Sequence, residues 1–191
     1  ENMQKYLTTI YQKSNTLSEL INSFYEFSKL DHPEFKPVLE KGDICEYFRE
    51  YLAGKYEELE LAGFHLETDL PEQQVEMEFD HMQLKRVFEN IITNSVKHNR
   101  RGTTVYASLF VEKEENVIIR IGDDGVGIQD SLRESIFEPF VVGDESRNSK
   151  QGTGLGLAIA QRIVNLHGGT IRLLTPQETE KSTEFEVRLP V

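Results

Sequence analysis

From Glu1 to Leu30 the apolar positions recur at helical spacing. Leu7, Ile10, Leu17, Ile21 and Phe24, with Ser14 and Ser28 in register, follow an alternating three-four repeat, the seam of a coiled coil or helical bundle. Leu20, Tyr25, Phe27 and Leu30 widen that face beyond a two-stranded stripe. Neither Pro nor Gly interrupts the stretch, which predicts a single helix about 45 Å long. His32-Pro33 stops it near Asp31, because the residue before a proline is pushed out of helical geometry. No later segment has the length to cover the seam. The helix therefore reads as half of a bundle completed by sequence outside this chain or by a second chain. A helix lying along its own globular domain is the alternative.

Beyond Pro33 the pattern mixes short alternating runs with amphipathic ones. Phe35–Leu39 predicts a short strand, and Asp43 an N-cap for a helix running to Leu61. Phe64–Thr68 and Val75–Phe79 predict a strand pair broken at Pro71. Asp80 caps a further helix, whose Leu84, Val87, Phe88, Ile91 and Ile92 share one face and which ends near His98. Thr103–Val111 and Asn116–Ile121 form a hairpin through the polar Glu112–Glu115 link. A short helix near Ser131–Ile136, an amphipathic helix over Leu155–Leu166 and an antiparallel pair, Thr170–Leu174 with Thr183–Leu189, complete the chain. Strands and helices do not alternate strictly, so the fold class is α+β, a two-layer α/β sandwich preceded by one long bundle-forming helix. The domains are residues 1–31 and 34–191.

Composition narrows the function classes. Apolar residues at 38% and charged residues at 28% support a packed core. The balance of 21 basic against 33 acidic residues, a formal net charge of −12, argues against nucleic acid or an anionic membrane surface as the main partner. A small anionic ligand needs only a local pocket of donors. No apolar run reaches the ~18–20 residues of a membrane span, and no signal-peptide pattern opens the chain. A lone cysteine, Cys45, permits no internal disulfide and reads as a buried helix residue. Glu1 in place of an initiator Met predicts a segment of a longer protein.

Candidate chemistry concentrates between residues 90 and 156. On a helix, Asn90, Asn94, Lys97 and His98 project from one face. An Asn oxygen with phosphate oxygens suits Mg²⁺, and a lysine one turn on can meet phosphate charge; a solvated polar face is the other reading. Asp123-Asp-Gly125-Val-Gly127-Ile follows a strand, placing a carboxylate at its end and glycines where backbone can approach a ligand. Such an Asp can accept from an exocyclic amine such as adenine N6, or the segment is a tight turn with solvated carboxylates. Phe137-Glu-Pro-Phe140 reads as packing. Gly152-Thr153-Gly154-Leu155-Gly156-Leu opens a helix, where stacked amide donors favour phosphate. It lacks the Gly-Lys-Ser/Thr ending of a P-loop, and a glycine hinge is its alternative.

In that order the four clusters resemble the N, G1, F and G2 boxes of the catalytic ATP-binding domain of bacterial sensor histidine kinases. That domain has the Bergerat ATP-binding fold shared with gyrase, Hsp90 and MutL. The resemblance runs from Phe35 to Val191, through His167-Gly-Gly-Thr-Ile171 and the final strand. The helix through Leu30 resembles the second helix of the dimerisation and histidine-phosphotransfer hairpin.

The resemblance implies ATP and Mg²⁺ as cofactors. Asn94 would hold the metal beside Asn90, Lys97 would touch the phosphates, and Asp123 would accept the adenine amine. Gly125 and Gly127 would line the pocket, and Gly152, Thr153, Gly154, Leu155 and Gly156 would wrap the triphosphate. Val141–Gln151 would be a lid carrying Arg147 toward the γ-phosphate. The implied parent is cytoplasmic in its catalytic part, anchored in the bacterial inner membrane and homodimeric. It transfers the γ-phosphoryl of ATP to a histidine and then to an aspartate of a response regulator.

Two departures stand. His98 occupies a position where many relatives have Tyr, and it either stacks on adenine or is a neutral structural histidine. None of His32, His65, His81, His98 and His167 has the neighbours of a phosphoacceptor, so the chain is expected to bind ATP without autophosphorylating. The rival readings are a non-catalytic ATP-dependent interaction module and an anti-sigma-type serine kinase; the heptad helix disfavours the latter.

Overall fold

The computed structural model describes residues 2–113, 115–142 and 152–191. Helix α1 (Asn2–Asp31) leads into a two-layer body. Its first half contains β1 (Glu40–Asp43), α2 (Ile44–Ala62), β2 (His65–Asp69), β3 (Glu76–Phe79) and α3 (His81–His98). The second half contains β4 (Thr104–Glu112), β5 (Asn116–Asp123), α4 (Asp130–Arg133), α5 (Gly156–Leu166), β6 (Thr170–Leu173) and β7 (Thr183–Pro190). The main sheet has the strand order β2-β4-β5-β7-β6. β2 and β4 run parallel and the other neighbours antiparallel.

Strand alternation builds the core. Val105, Ala107 and Leu109 of β4, Val117, Ile119 and Ile121 of β5, and Phe185, Val187 and Leu189 of β7 are all buried. They form one apolar cluster with Phe48 and Leu52 of α2, Leu84, Phe88 and Ile91 of α3, and Ile163 and Val164 of α5. Phe88 packs its ring 4.7 Å from Phe48 and 5.4 Å from Tyr51. The caps are as the sequence predicts: Asp43 accepts from Cys45 N at 3.0 Å and Asp80 from Gln83 N at 3.0 Å. Asp80 does more. Its other oxygen accepts from Val38 N at 2.9 Å, and its own amide donates to His167 Nε2 at 3.0 Å. His167 Nδ1 donates in turn to the Ile163 carbonyl at 2.8 Å. The segment before β1, the start of α3 and the end of α5 are thus tied at one point.

Two strand expectations are corrected. Phe35–Leu39 is not a strand; the strand is Glu40–Asp43, because Val38 N is committed to the Asp80 side chain and Pro37 has no amide to offer. The segments around Phe64–Thr68 and Val75–Phe79 do not pair with each other. β3 pairs antiparallel with β1 in a separate two-stranded sheet, while β2 joins β4 in the main sheet. Parallel neighbours need a crossover, which α3 supplies. Helix α4 is also shorter than the expected Ser131–Ile136 and ends at Arg133.

Helix α1 is docked only at its C-terminal end. Leu30 is fully buried, and Arg162 Nε donates to its carbonyl at 3.2 Å. Ion pairs join Arg162 to Asp31 at 3.3 Å and Arg86 to Glu26 at 2.9 Å. Leu7, Ile10, Leu17, Ile21 and Phe24, the predicted seam, are all exposed. Among the described residues no helix is long and apolar enough to cross a membrane.

On the sheet face away from the helices, Glu186 of β7 is buried between two guanidiniums. Arg120 Nη2 lies 2.7 Å away and Arg172 Nη2 2.9 Å. Burial alone would push the Glu186 carboxyl up, but the hydrogen bonds and charges of Arg120 and Arg172 outweigh it and hold the group below its usual range. A carboxylate depressed on folding stabilises the fold above its unfolded value, and loses that effect as pH falls through its folded value. Glu186→Gln is therefore expected to destabilise the chain by about 1–3 kcal/mol at pH 7. In urea titrations the gap between variant and wild type should be full above the ordinary carboxylate range and shrink progressively as pH falls below it. A gap that does not shrink with falling pH would refute the assignment.

Candidate functional site

The inward series Val117, Ile119, Ile121 of β5 continues to Asp123, so strand alternation itself turns this carboxylate under the end of α3. Asp123 is 2% exposed. Burying a carboxylate there requires donors, and two reach it. Ser95 Oγ donates to Oδ2 at 2.7 Å, and the Gly125 amide donates to Oδ1 at 3.0 Å. Asn99, just past α3, fixes the turn from the other side. Its Nδ2 donates to the Ser95 carbonyl at 3.0 Å and its Oδ1 accepts from Val126 N at 2.8 Å.

This arrangement explains why residue 125 is glycine. A Cβ there would sit 1.8 Å from Asn99 Oδ1. The sequence reading gave Gly125 to close approach of a ligand; its close neighbour is instead the Asn99 carboxamide, and Gly125 does not line the cleft.

A cleft of about 860 Å³ opens above Asp123, a size typical of small-molecule sites. Asn90, Asn94, Lys97 and His98 line it from α3, Asp123 and Gly127 from the turn after β5, and Gly152, Thr153, Gly154 and Gly156 from the approach to α5. Thr183 and Phe185 line it from β7, and Glu19 and Ser23 from α1. Leu155 is not in the lining; it is fully buried, with its amide 3.3 Å from Thr153 Oγ1. Arg147 and most of the Val141–Gln151 segment lie outside the described residues.

The glycine segment and the polar face of α3 approach closely. A Cβ on Gly152 would lie 3.3 Å from Lys97 Nζ, and one on Gly156 3.2 Å from Asn90 Oδ1. Gly154 has φ +69, and a Cβ there would meet the Phe140 backbone at 2.9 Å. The Phe140 amide donates to the Gly154 carbonyl at 2.9 Å, and Phe137 packs edge-on against Phe185 at 6.0 Å. The Phe-Glu-Pro-Phe segment therefore packs, as its composition predicts, while positioning the glycine turn. Among the described residues neither the Asn90 nor the Asn94 carboxamide has a hydrogen-bond partner, and both line the cleft.

Partial burial of the His98 ring, then the neighbouring Lys97 ammonium, lowers its basicity, against an opposing pull from Asp123. The net shift favours the neutral ring. Ser95, Asn99 and Thr183 escaped the sequence reading. For Ser95 a signal existed: it falls in the stripe of Leu84, Phe88 and Ile91, where a hydroxyl needs a buried partner.

The family described as "Histidine kinase-, DNA gyrase B-, and HSP90-like ATPase" matches residues 79–191. Sensor protein GtcS of Aneurinibacillus migulanus is 32% identical over 189 residues, covering 99% of this chain and 50% of that protein. Sensor histidine kinase YcbM of Bacillus subtilis is 28% identical over 172 residues, covering 90% of this chain and 55% of that protein. The chain thus spans about half the length of these curated relatives. Among solved structures, histidine kinase ThkA in complex with response regulator protein TrrA superposes with a TM-score of 0.72 at 24% identity, covering all of this chain and 52% of that one.

Two measurements test the site's construction. Gly125→Ala should destabilise the chain by about 2 kcal/mol, and Asn99→Ala should relieve part of that loss in the double variant. Strictly additive urea midpoints would contradict the contact. His98 should titrate by NMR with a midpoint below 6.5, moving upward in Lys97→Gln. An unchanged midpoint would remove Lys97 as a cause.

Proposed function

The chain belongs to the family of histidine kinase-, DNA gyrase B- and HSP90-like ATPases, and on that premise we propose that it is the ATP-binding catalytic portion of a sensor histidine kinase. The observation that carries the reading is Asp123: a buried, hydrogen-bonded carboxylate lining a cleft that two carboxamides, an ammonium and a glycine-rich helix start also line. A carboxylate accepts and cannot donate, which suits an adenine amine and opposes a carbonyl.

The residues fit the nucleotide. Asp123 would receive the base, with His98 at the rim, and Lys97 would face phosphate. Backbone amides around Gly152, Gly154 and Gly156, at the N-terminus of the 11-residue α5, would bind phosphate oxygens, since the unpaired amides of a helix start carry partial positive charge. Asn94, with Asn90 beside it, would hold Mg²⁺, which takes few protein ligands and supplies charge neutralisation for the phosphates. Phosphoryl transfer asks of a protein chiefly positioning and electrostatics, and these residues provide both.

Helix α1 is read as the second helix of the dimerisation and phosphotransfer hairpin, its exposed seam being the surface that a homodimer would cover. The phosphoacceptor histidine is assigned to sequence other than these residues. The chain's histidines have other settings: His167 is engaged at both ring nitrogens, His32 Nδ1 accepts from Glu34 N, His65 faces Glu60, and His81 packs in an aromatic cluster. The parent protein would then pass the phosphoryl group to a response regulator, the class of partner seen with ThkA.

Calorimetric titration should show magnesium-assisted ATP binding that GTP does not match. Asp123→Asn should weaken ATP by at least tenfold in a protein that still folds, the order expected for losing a charge-assisted hydrogen bond. Equal binding of ATP and GTP by the wild type would reject the base assignment. With a phosphoacceptor helix supplied upstream, acid-labile phosphate should form; acid-stable phosphate on a protein partner would favour a serine kinase instead.

A further inference from the structure

Ser95 is a hydroxyl placed in an apolar stripe. It lies one helical turn from Ile91 and two from Phe88, both fully buried, and is itself 4% exposed. A buried hydroxyl without a partner is costly; here it donates to Asp123 Oδ2 at 2.7 Å. The opposite carboxylate oxygen is held by the Gly125 amide at 3.0 Å. Donors from a helix and from a turn therefore pin the two oxygens separately. The carboxylate plane cannot swing about its terminal torsion without breaking one of the bonds. Each oxygen keeps a further lone pair, and the side chain lines the cleft.

We propose that Ser95 is a positioning residue for nucleobase selectivity: its hydroxyl holds Asp123 so that the remaining acceptor sites face an exocyclic amine on the ligand. The proposal rests on the reading of Asp123 as the base-recognising carboxylate. The side chain and main chain of Ser95 have separable tasks. Its carbonyl accepts from Asn99 Nδ2 at 3.0 Å, and Asn99 Oδ1 holds Val126 N at 2.8 Å, so the main chain anchors the turn. Removing the hydroxyl leaves that anchor and the Gly125 bond in place while freeing the carboxylate to rotate. Loss should then fall on recognition of the amine, not on the whole nucleotide.

The test compares ATP with purine riboside triphosphate, which lacks the exocyclic amine, by calorimetry on the 191-residue chain and on Ser95→Ala. Wild type should prefer ATP. Ser95→Ala should lose roughly tenfold in ATP affinity, the worth of one hydrogen bond to a charged group, while the analogue changes by less than about twofold. Ser95→Thr, which keeps the hydroxyl, should keep the preference even if less stable. Ser95→Cys, a weak donor of similar volume, should reduce it, and serves in place of Ser95→Ala if that variant does not fold. Equal weakening of both nucleotides, or an undiminished preference in Ser95→Ala or Ser95→Cys, would overturn the role of Ser95 while leaving Asp123 intact. A wild type that binds both nucleotides equally would instead overturn the Asp123 reading, and the Ser95 role with it.

Discussion

The Asp123 carboxylate can be buried at the end of an apolar strand only because donors from two elements converge on it. Ionised groups removed from water are unstable unless hydrogen bonds replace the lost hydration. Ser95 comes from α3 and Gly125 from the turn after β5. Their convergence requires α3 to lie across the sheet with its last turn above β5, which in turn requires the Leu84, Phe88 and Ile91 stripe to be seated in the core. Packing and site chemistry are thus one arrangement. The polar face of α3 addresses the cleft because its apolar face has no other place to go.

Much of this was legible in the sequence. Helical spacing located α1, α3 and α5, side-chain caps located the starts of α2 and α3, and alternation located the β4–β5 and β6–β7 pairs. The boxes between residues 90 and 156 placed ten lining residues of a single cleft. What failed depends on distance along the chain. The pairing of β1 with β3, and of β2 with β4, is decided by tertiary packing, and two short runs flanking Pro71 carry no mark of their partners. Asn99 went unremarked and Gly125 was read as a ligand contact because their mutual contact spans the chain between them. Single residues whose task is to hold another residue leave little local pattern.

Helix α1 combines two environments. Near Leu30 it is a buried part of the body, held by Arg162 and Arg86. Toward its start it presents an apolar stripe of Leu7, Ile10, Leu17 and Ile21 to solvent. The junction between these regimes lies beside the cleft, since Glu19 and Ser23 line it. A change in how the free half of the helix is covered is therefore geometrically adjacent to the cleft. That adjacency needs no long relay through the core.

The two edges of the main sheet carry opposite lessons from that helix. β2 exposes His65, Glu67 and Asp69, and β6 is only four residues long with Arg172 pointing outward. Charge and brevity are the usual defences against strand-to-strand addition. The sheet is thus poorly suited to recruit further strands, and fibrillar aggregation is disfavoured at both ends. The undefended surface is helical. Unwanted association of the isolated chain should accordingly begin with helices pairing side by side, reversible and native in secondary structure, and not with a cross-β deposit.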